Sequence, residues 1–228
     1  MGQMKPILFN TEMVKAILDG RKTVTRRLAN INTEITCNDG TANHEFVLDC
    51  FSGVLTPSGF VCRKCGFGVA PPHSHVPCGT SLFRPRYWPG DILYVRETWA
   101  KMVDLGYISH AGYVYRGDFN DNELQELAEK HFTWKPSIHM PKEAARIFLR
   151  VKRVSVERLQ NIDAAGIRAE GVGTMAAFVG DMEIASAEFR NLWNSTIKPA
   201  DLATSGWETN PWVWVIKFER ISKEEAHT

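Results

Sequence analysis

Apolar and polar positions follow several distinct rhythms along this chain, and each rhythm predicts an element. Near the start, Met13, Val14, Ile17 and Leu18 recur at helical spacing. Asn10 and Thr11 are candidate N-caps for that helix, and Gly20 suits the position just past its end. Residues 30–88 carry no helical period and are rich in Gly, Pro, Asn and Thr, so they read as irregular. The turn sequence Trp88-Pro89-Gly90-Asp91 then leads into ILYVRETW, whose β-branched and aromatic content predicts a strand over 92–99.

Further along, a short strand is expected over 113–115 and a short helix over 123–131. The segment WKPSIHMP, residues 134–141, is rigid and bounded by prolines. A long strand follows over 146–159, where Ile147, Leu149 and Val151 alternate with Phe148, Arg150 and Lys152. Residues 163–170 predict a short helix ending at Gly171, and 183–197 an amphipathic one with Ile184, Ala187, Phe189, Leu192, Trp193 and Thr196 on or near one face. In the last strand, 212–220, Trp212, Trp214, Ile216 and Phe218 share one face at period two. The polar tail, 222–228, is expected to fray. This order predicts a mixed α+β domain. The strands lie too far apart for βαβ units and better suit a small, mostly antiparallel barrel with attached helices.

Composition narrows the function classes. With 44% hydrophobic and 11% aromatic residues, the 228-residue chain is no disordered protein. Lys plus Arg number 27 against 26 for Asp plus Glu, which excludes binding driven by bulk positive charge. The average hides a local bias, because residues 15–27 hold five basic groups and one acid, Asp19. No run of ~18 apolar residues predicts a membrane span, and the N-terminus lacks a secretory signal, so a cytoplasmic location is expected.

The basic stretch Gly20-Arg21-Lys22-Thr23-Val24-Thr25-Arg26-Arg27 resembles the ASCH-domain signature Gly-x-Lys-x-x-Glu-x-Arg. Gly20, Lys22 and Arg27 match, and Thr25 stands at the Glu position. Small ASCH proteins that act as N4-acetylcytidine amidohydrolases resemble this chain in carrying Thr there. Pro89-Gly90-Asp91, the Leu159…Ile162…Glu170-Gly171 stretch and the closing Trp/Val-rich strand fit the same family. The segments VRETW, WKPSIHMP and VERLQNI look like marks of a phage- or prophage-associated branch. The resemblance covers about 1–28, 88–100 and 134–220. It implies one PUA-like barrel domain over 1–228, with insertions at 30–87 and 101–133.

It also implies a ligand: a nucleoside, a nucleotide or RNA. By motif position, the amidohydrolases' Lys, Thr and Glu carry over to Lys22, Thr25 and Glu170. Deacylation of an exocyclic amide needs a nucleophile, a base and an oxyanion donor. Thr25 could attack with Lys22 as its base, Arg27 could hold the oxyanion or a phosphate, and Glu170 could orient Lys22 or hydrogen-bond the cytosine ring. A lysine at its ordinary pKa of ~10.4 is a poor base at neutral pH, so burial or the nearby Arg21, Arg26 and Arg27 must lower it. On a straight strand Lys22 and Thr25 would also point to opposite faces. The competing reading is a solvated basic segment after a helix, and the competing functions are a non-catalytic RNA or modified-base binder and a ribonuclease.

Arg21, Arg26 and Arg27 are candidate ligand contacts, and so are Arg96 and Glu97, with a surface ion pair as the alternative, and His139, with a structural hydrogen bond as the alternative. Trp212 and Trp214 read as core. The five cysteines, Cys37, Cys50, Cys62, Cys65 and Cys78, all fall in the irregular stretch. An odd number argues against a disulfide framework. Cys62-x-x-Cys65-Gly66 has zinc-knuckle spacing, and Cys78 and Cys50 are the first choices to complete a structural site, with Cys37, His73 and His75 as alternatives.

Overall fold

The structure is a computed structural model, and it describes residues 4–29, 54–56, 59–61, 68–69, 85–102, 112–172 and 181–227. The strands are β1 (Met4–Leu8), β2 (Val24–Leu28), β3 (Val54–Thr56), β4 (Gly59–Val61), β5 (Gly68–Val69), β6 (Ile92–Arg96), β7 (Trp99–Lys101), β8 (Tyr113–Tyr115), β9 (Phe148–Arg158) and β10 (Trp212–Ile221). The helices are α1 (Thr11–Leu18), α2 (Asp121–Glu129), α3 (Ala164–Ala169), α4 (Met182–Ser195), α5 (Leu202–Ser205) and α6 (Lys223–His227). The class is mixed α+β, as the sequence predicts. Strand pairing follows the path β1–β6–β9–β10–β2, with β1 and β6 parallel, and β7 and β8 form a separate two-stranded sheet. β9 also pairs with β3, from which β4 and β5 continue the same sheet, so among the described residues the sheet has ends at β1, β2 and β5 and does not close into a barrel.

The chain divides into two compact units. One takes in Met1–Gly2, Arg21–Asp91 and Val151–Glu219, the other Gln3–Gly20, Ile92–Arg150 and Arg220–Thr228, so the division falls inside β9 and inside β10.

In the first unit β2 runs antiparallel to β10, with Thr25 opposite Ile216 and Arg27 opposite Trp214. Trp214, Ile216 and Phe218 are buried, as their period-two spacing predicts, whereas Trp212 at the start of the strand, read as core from the sequence, is only partly buried. Asp163 caps α3 by accepting the Gly166 N–H at 2.7 Å, and Asp181 caps α4. Ile167 of α3 packs with Ala185, Phe189 and Trp193 of α4 and with Leu159, Ile162 and Val213 in one apolar cluster. This packing anchors the end of α3, where Glu170 sits.

In the second unit the side chain of Asn10 caps α1 at 2.9 Å, and Gly20 takes the left-handed φ of 76° past its end. Trp99, Met140, Ala144, Ala145, Phe148, Ile221 and Ala226 form a core cluster there.

Three expectations change. The irregular stretch contains β3, β4 and β5, short strands whose few residues leave little periodicity to read. The predicted strand over 92–99 breaks after Arg96, where Glu97 turns its carboxylate to Arg146 and Trp99 starts a new sheet. The tail does not fray. Ser222 and Glu225 exchange side-chain and backbone hydrogen bonds in a capping box, and Ala226 buries itself.

Candidate functional site

The basic motif runs alongside the end of α3. The Thr23 N–H donates to the Ala169 carbonyl at 2.8 Å, and Lys22 and Glu170 form an antiparallel bridge. Gly171 turns the chain away at φ 88°, a conformation open to glycine, and its carbonyl accepts from the Arg21 guanidinium at 2.9 Å. This backbone register, rather than side-chain spacing, delivers Lys22 to Glu170.

Lys22 Nζ donates to Glu170 Oε2 at 2.6 Å and to the Glu170 carbonyl at 2.8 Å. Arg26 Nη1 donates to the other carboxylate oxygen, Oε1, at 3.1 Å. The remaining edge of Arg26 engages Glu157 on β9, where Nε and Nη2 both donate to Oε1, at 2.9 and 2.8 Å. Two cations and two carboxylates therefore alternate as Lys22–Glu170–Arg26–Glu157. Side-chain exposure along that series is 2%, 5%, 6% and 29%, so only Glu157 faces water to any extent.

Burial dominates the electrostatics of Lys22. It pulls the amine below its ordinary pKa, the Glu170 carboxylate opposes that shift, and Arg27 and Arg26 reinforce it. Burial likewise lowers Arg27, although a guanidinium stays charged at any working pH. Thr25 is buried near the start of β2, where strand alternation sets it on the face opposite its neighbour Arg26.

The motif is thus no solvated basic segment, since Lys22, Thr25 and Arg26 are all buried. The chemistry such a cluster can perform is proton transfer at an amine that carries less than its usual affinity for the proton, next to a carboxylate that orients it.

No family model, curated protein or solved structure matches this chain.

Arg96, Glu97 and His139 belong to the second unit. Arg96 Nε donates to the Met140 carbonyl at 2.9 Å and Nη2 donates to the Ile138 carbonyl, so its fork clasps the proline-bounded loop. His139 lies exposed in a turn of that loop, Ser137–His139. Glu97 is 1% exposed and takes a two-pronged ion pair from Arg146, at 2.9 and 3.0 Å. Arg146 also reaches Asp118 at 2.8 Å, and its guanidinium carbon lies 3.9 Å from the Tyr115 ring centroid. Burial pushes the Glu97 pKa up against the pull of Arg146, and pushes the Tyr115 phenol up to about 12.

Sequence reasoning missed Glu157, Arg146, Asp118 and Tyr115. Glu157 carried a usable signal, an acid inside a strand that alternates apolar and polar residues. Cys37, Cys50, Cys62, Cys65, Cys78, His73 and His75 lie outside the described residues. Among the described residues no three His, Cys, Asp or Glu side chains gather as a metal site would require. No described helix is long and apolar enough to cross a membrane.

Proposed function

We propose that this chain is an ASCH-type hydrolase that deacylates an N4-acylated cytidine, as nucleoside or nucleotide, on a PUA-like scaffold. The observation that carries the reading is the buried amine of Lys22, 2.6 Å from Glu170 and lowered in pKa by its burial. Burial moves the proton affinity of this amine in the direction that a general base requires, against the pull of Glu170. In the reaction, the Thr25 hydroxyl adds to the acyl carbon as Lys22 takes its proton. The carbon–nitrogen bond then breaks, and Lys22 returns the proton to the departing N4 amine. Water hydrolyses the resulting Thr25 ester to release the carboxylic acid. Glu170 orients Lys22, and Arg27 supplies a cation for the oxyanion. A structural zinc on Cys62, Cys65, Cys78 and Cys50 belongs to the same proposal.

Incubation of the purified protein with N4-acetylcytidine tests it. Cytidine and acetate are expected, with Lys22→Ala and Thr25→Ala slower by about 10²–10⁴-fold. A wild type no faster than Lys22→Ala overturns the reading.

One observation favours a second reading, a non-catalytic binder of RNA or modified bases. Both oxygens of Glu170 and two donors of Lys22 are already engaged within the cluster. In that case binding is salt-sensitive, drops in Arg27→Ala, and returns the ligand unchanged after long incubation. Cleaved RNA in the same incubation would point instead to a ribonuclease.

A further inference from the structure

The fourth member of the ionic series has no role in the proposed chemistry, yet its geometry constrains the other three. Arg26 has two edges for carboxylates. Glu157 occupies the Nε–Nη2 edge with a single oxygen, Oε1, and this turns the Nη1 tip toward Glu170. Glu170 consequently divides its oxygens, giving Oε1 to Arg26 and Oε2 to Lys22. Gly166 of α3 stands near the same guanidinium, where an added Cβ would lie only 3.1 Å from Nη2.

A guanidinium released from Glu157 would be free to meet Glu170 with two parallel bonds, the geometry that arginine and carboxylate prefer. It would then compete with Lys22 for Oε2. The charge count moves the same way, since the four groups sum to zero and without Glu157 the remaining three carry a net positive charge.

We propose that Glu157 is a positioning residue: by holding the fork of Arg26 it reserves Glu170 Oε2 for the Lys22 amine and so sets the proton affinity of that amine. This rests on the hydrolase reading only for its consequence in catalysis. The charged groups that bear on Lys22 are Glu170 across the bridge and Arg26 and Arg27 on β2. Glu157 acts through the first two.

Two readouts separate the proposal from the reading beneath it. The first is the ¹⁵N NMR titration of the Lys22 side-chain amine in the full chain, assigned by the loss of its signal in Lys22→Met. Glu157→Gln should titrate at lower pH than wild type, by about one unit, because a neutral side chain releases Arg26. The second is the pH dependence of kcat/KM for N4-acetylcytidine. Its acid limb should move to lower pH by the same amount, since the base must be deprotonated to act. An amine that titrates at the same pH in folded Glu157→Gln and in wild type overturns the proposal, whatever the activity. Absent turnover with a shifted amine overturns the hydrolase reading and leaves the positioning role standing. If Glu157→Gln does not fold, Glu157→Asp takes its place, with a smaller shift in the same direction expected and an unmoved amine again overturning the idea.

Discussion

Each unit buries a carboxylate against a cation, but the two pairs are built differently. Glu97 faces Arg146, whose three nitrogens are divided between Glu97 and Asp118 while Tyr115 covers its flat face. A guanidinium does not give up its proton, so this pair is permanently charged on one side and braces the fold. Glu170 faces Lys22 as well as Arg26, and a lysine amine can lose its proton when water is excluded. The same burial that strengthens an arginine pair makes a lysine pair labile. The Lys22–Glu170 pair therefore holds a proton that can be given up, and the Arg146–Glu97 pair does not.

Removing the cation from each pair gives the largest contrast. Arg146→Met leaves Glu97 buried opposite no guanidinium and should cost about 3–5 kcal/mol of stability in urea denaturation. Lys22→Met leaves Glu170 still held by Arg26 and should cost about 2 kcal/mol. Equal losses would mean that Glu170 depends on Lys22 alone, and the contrast between the pairs would collapse.

A glycine stands beside each guanidinium, and the two should respond differently to a methyl group. At Gly166 a Cβ would meet Ile162 Cγ1 at 2.9 Å and Arg26 Nη2 at 3.1 Å, so Gly166→Ala should destabilise by about 1–3 kcal/mol. At Gly117 the nearest atoms are Val14 Cγ1 at 3.4 Å and Glu97 Oε2 at 3.7 Å, ordinary contact distances. Gly117→Ala should therefore stay within about 0.5 kcal/mol of wild type. A thermal-shift comparison of the two variants decides it, and a large loss at Gly117 would show that the Arg146 pair is packed as tightly as the Arg26 cluster.

The smallest effect is in pH dependence, and its sign differs between the pairs. Lys22 has a folded pKa below its ordinary 10.5, so between the two values the unfolded chain binds more protons. Its contribution to stability is present above 10.5 and is lost as pH falls through the folded value. Glu97 has a folded pKa above its ordinary 4.5. Its contribution is present below 4.5 and is lost as pH rises through the folded value. In melting-temperature profiles, Lys22→Met should flatten the alkaline side and Glu97→Gln the acidic side. A Lys22→Met profile parallel to wild type up to pH 10.5 would contradict the lowered amine.

The ease of reading each region from sequence follows from how local its determinants are. The cap at Asn10, the left-handed Gly20 and the period-two face of Trp214, Ile216 and Phe218 depend on neighbours a few residues away, and all were legible. The meeting of Lys22 with Glu170 joins positions 148 apart, and it was legible only through a resemblance of motifs. Nothing local announces that Arg26 will turn to Glu157, or that Arg146 will reach Glu97. Charged residues on strands fit a solvated face equally well until the partner strand is known. Glu97 shows the cost of that ambiguity, because an acid in a predicted strand reads as a surface group and lies at 1% exposure.

The pairing of β2 with β10 has a consequence for synthesis. Thr25 finds its partner only at Ile216, and β10 is the strand that β2 pairs with among the described residues. At about 5–20 residues per second, a ribosome needs on the order of 10–40 s to make the intervening chain. Throughout that delay the strand bearing Arg26, with Lys22 just ahead of it, lacks its ladder, and for most of it the carboxylates Glu157 and Glu170 are not yet made. The strand that follows Lys22 thus stays without its ladder until β10 emerges, so this basic stretch is among the last parts to assemble.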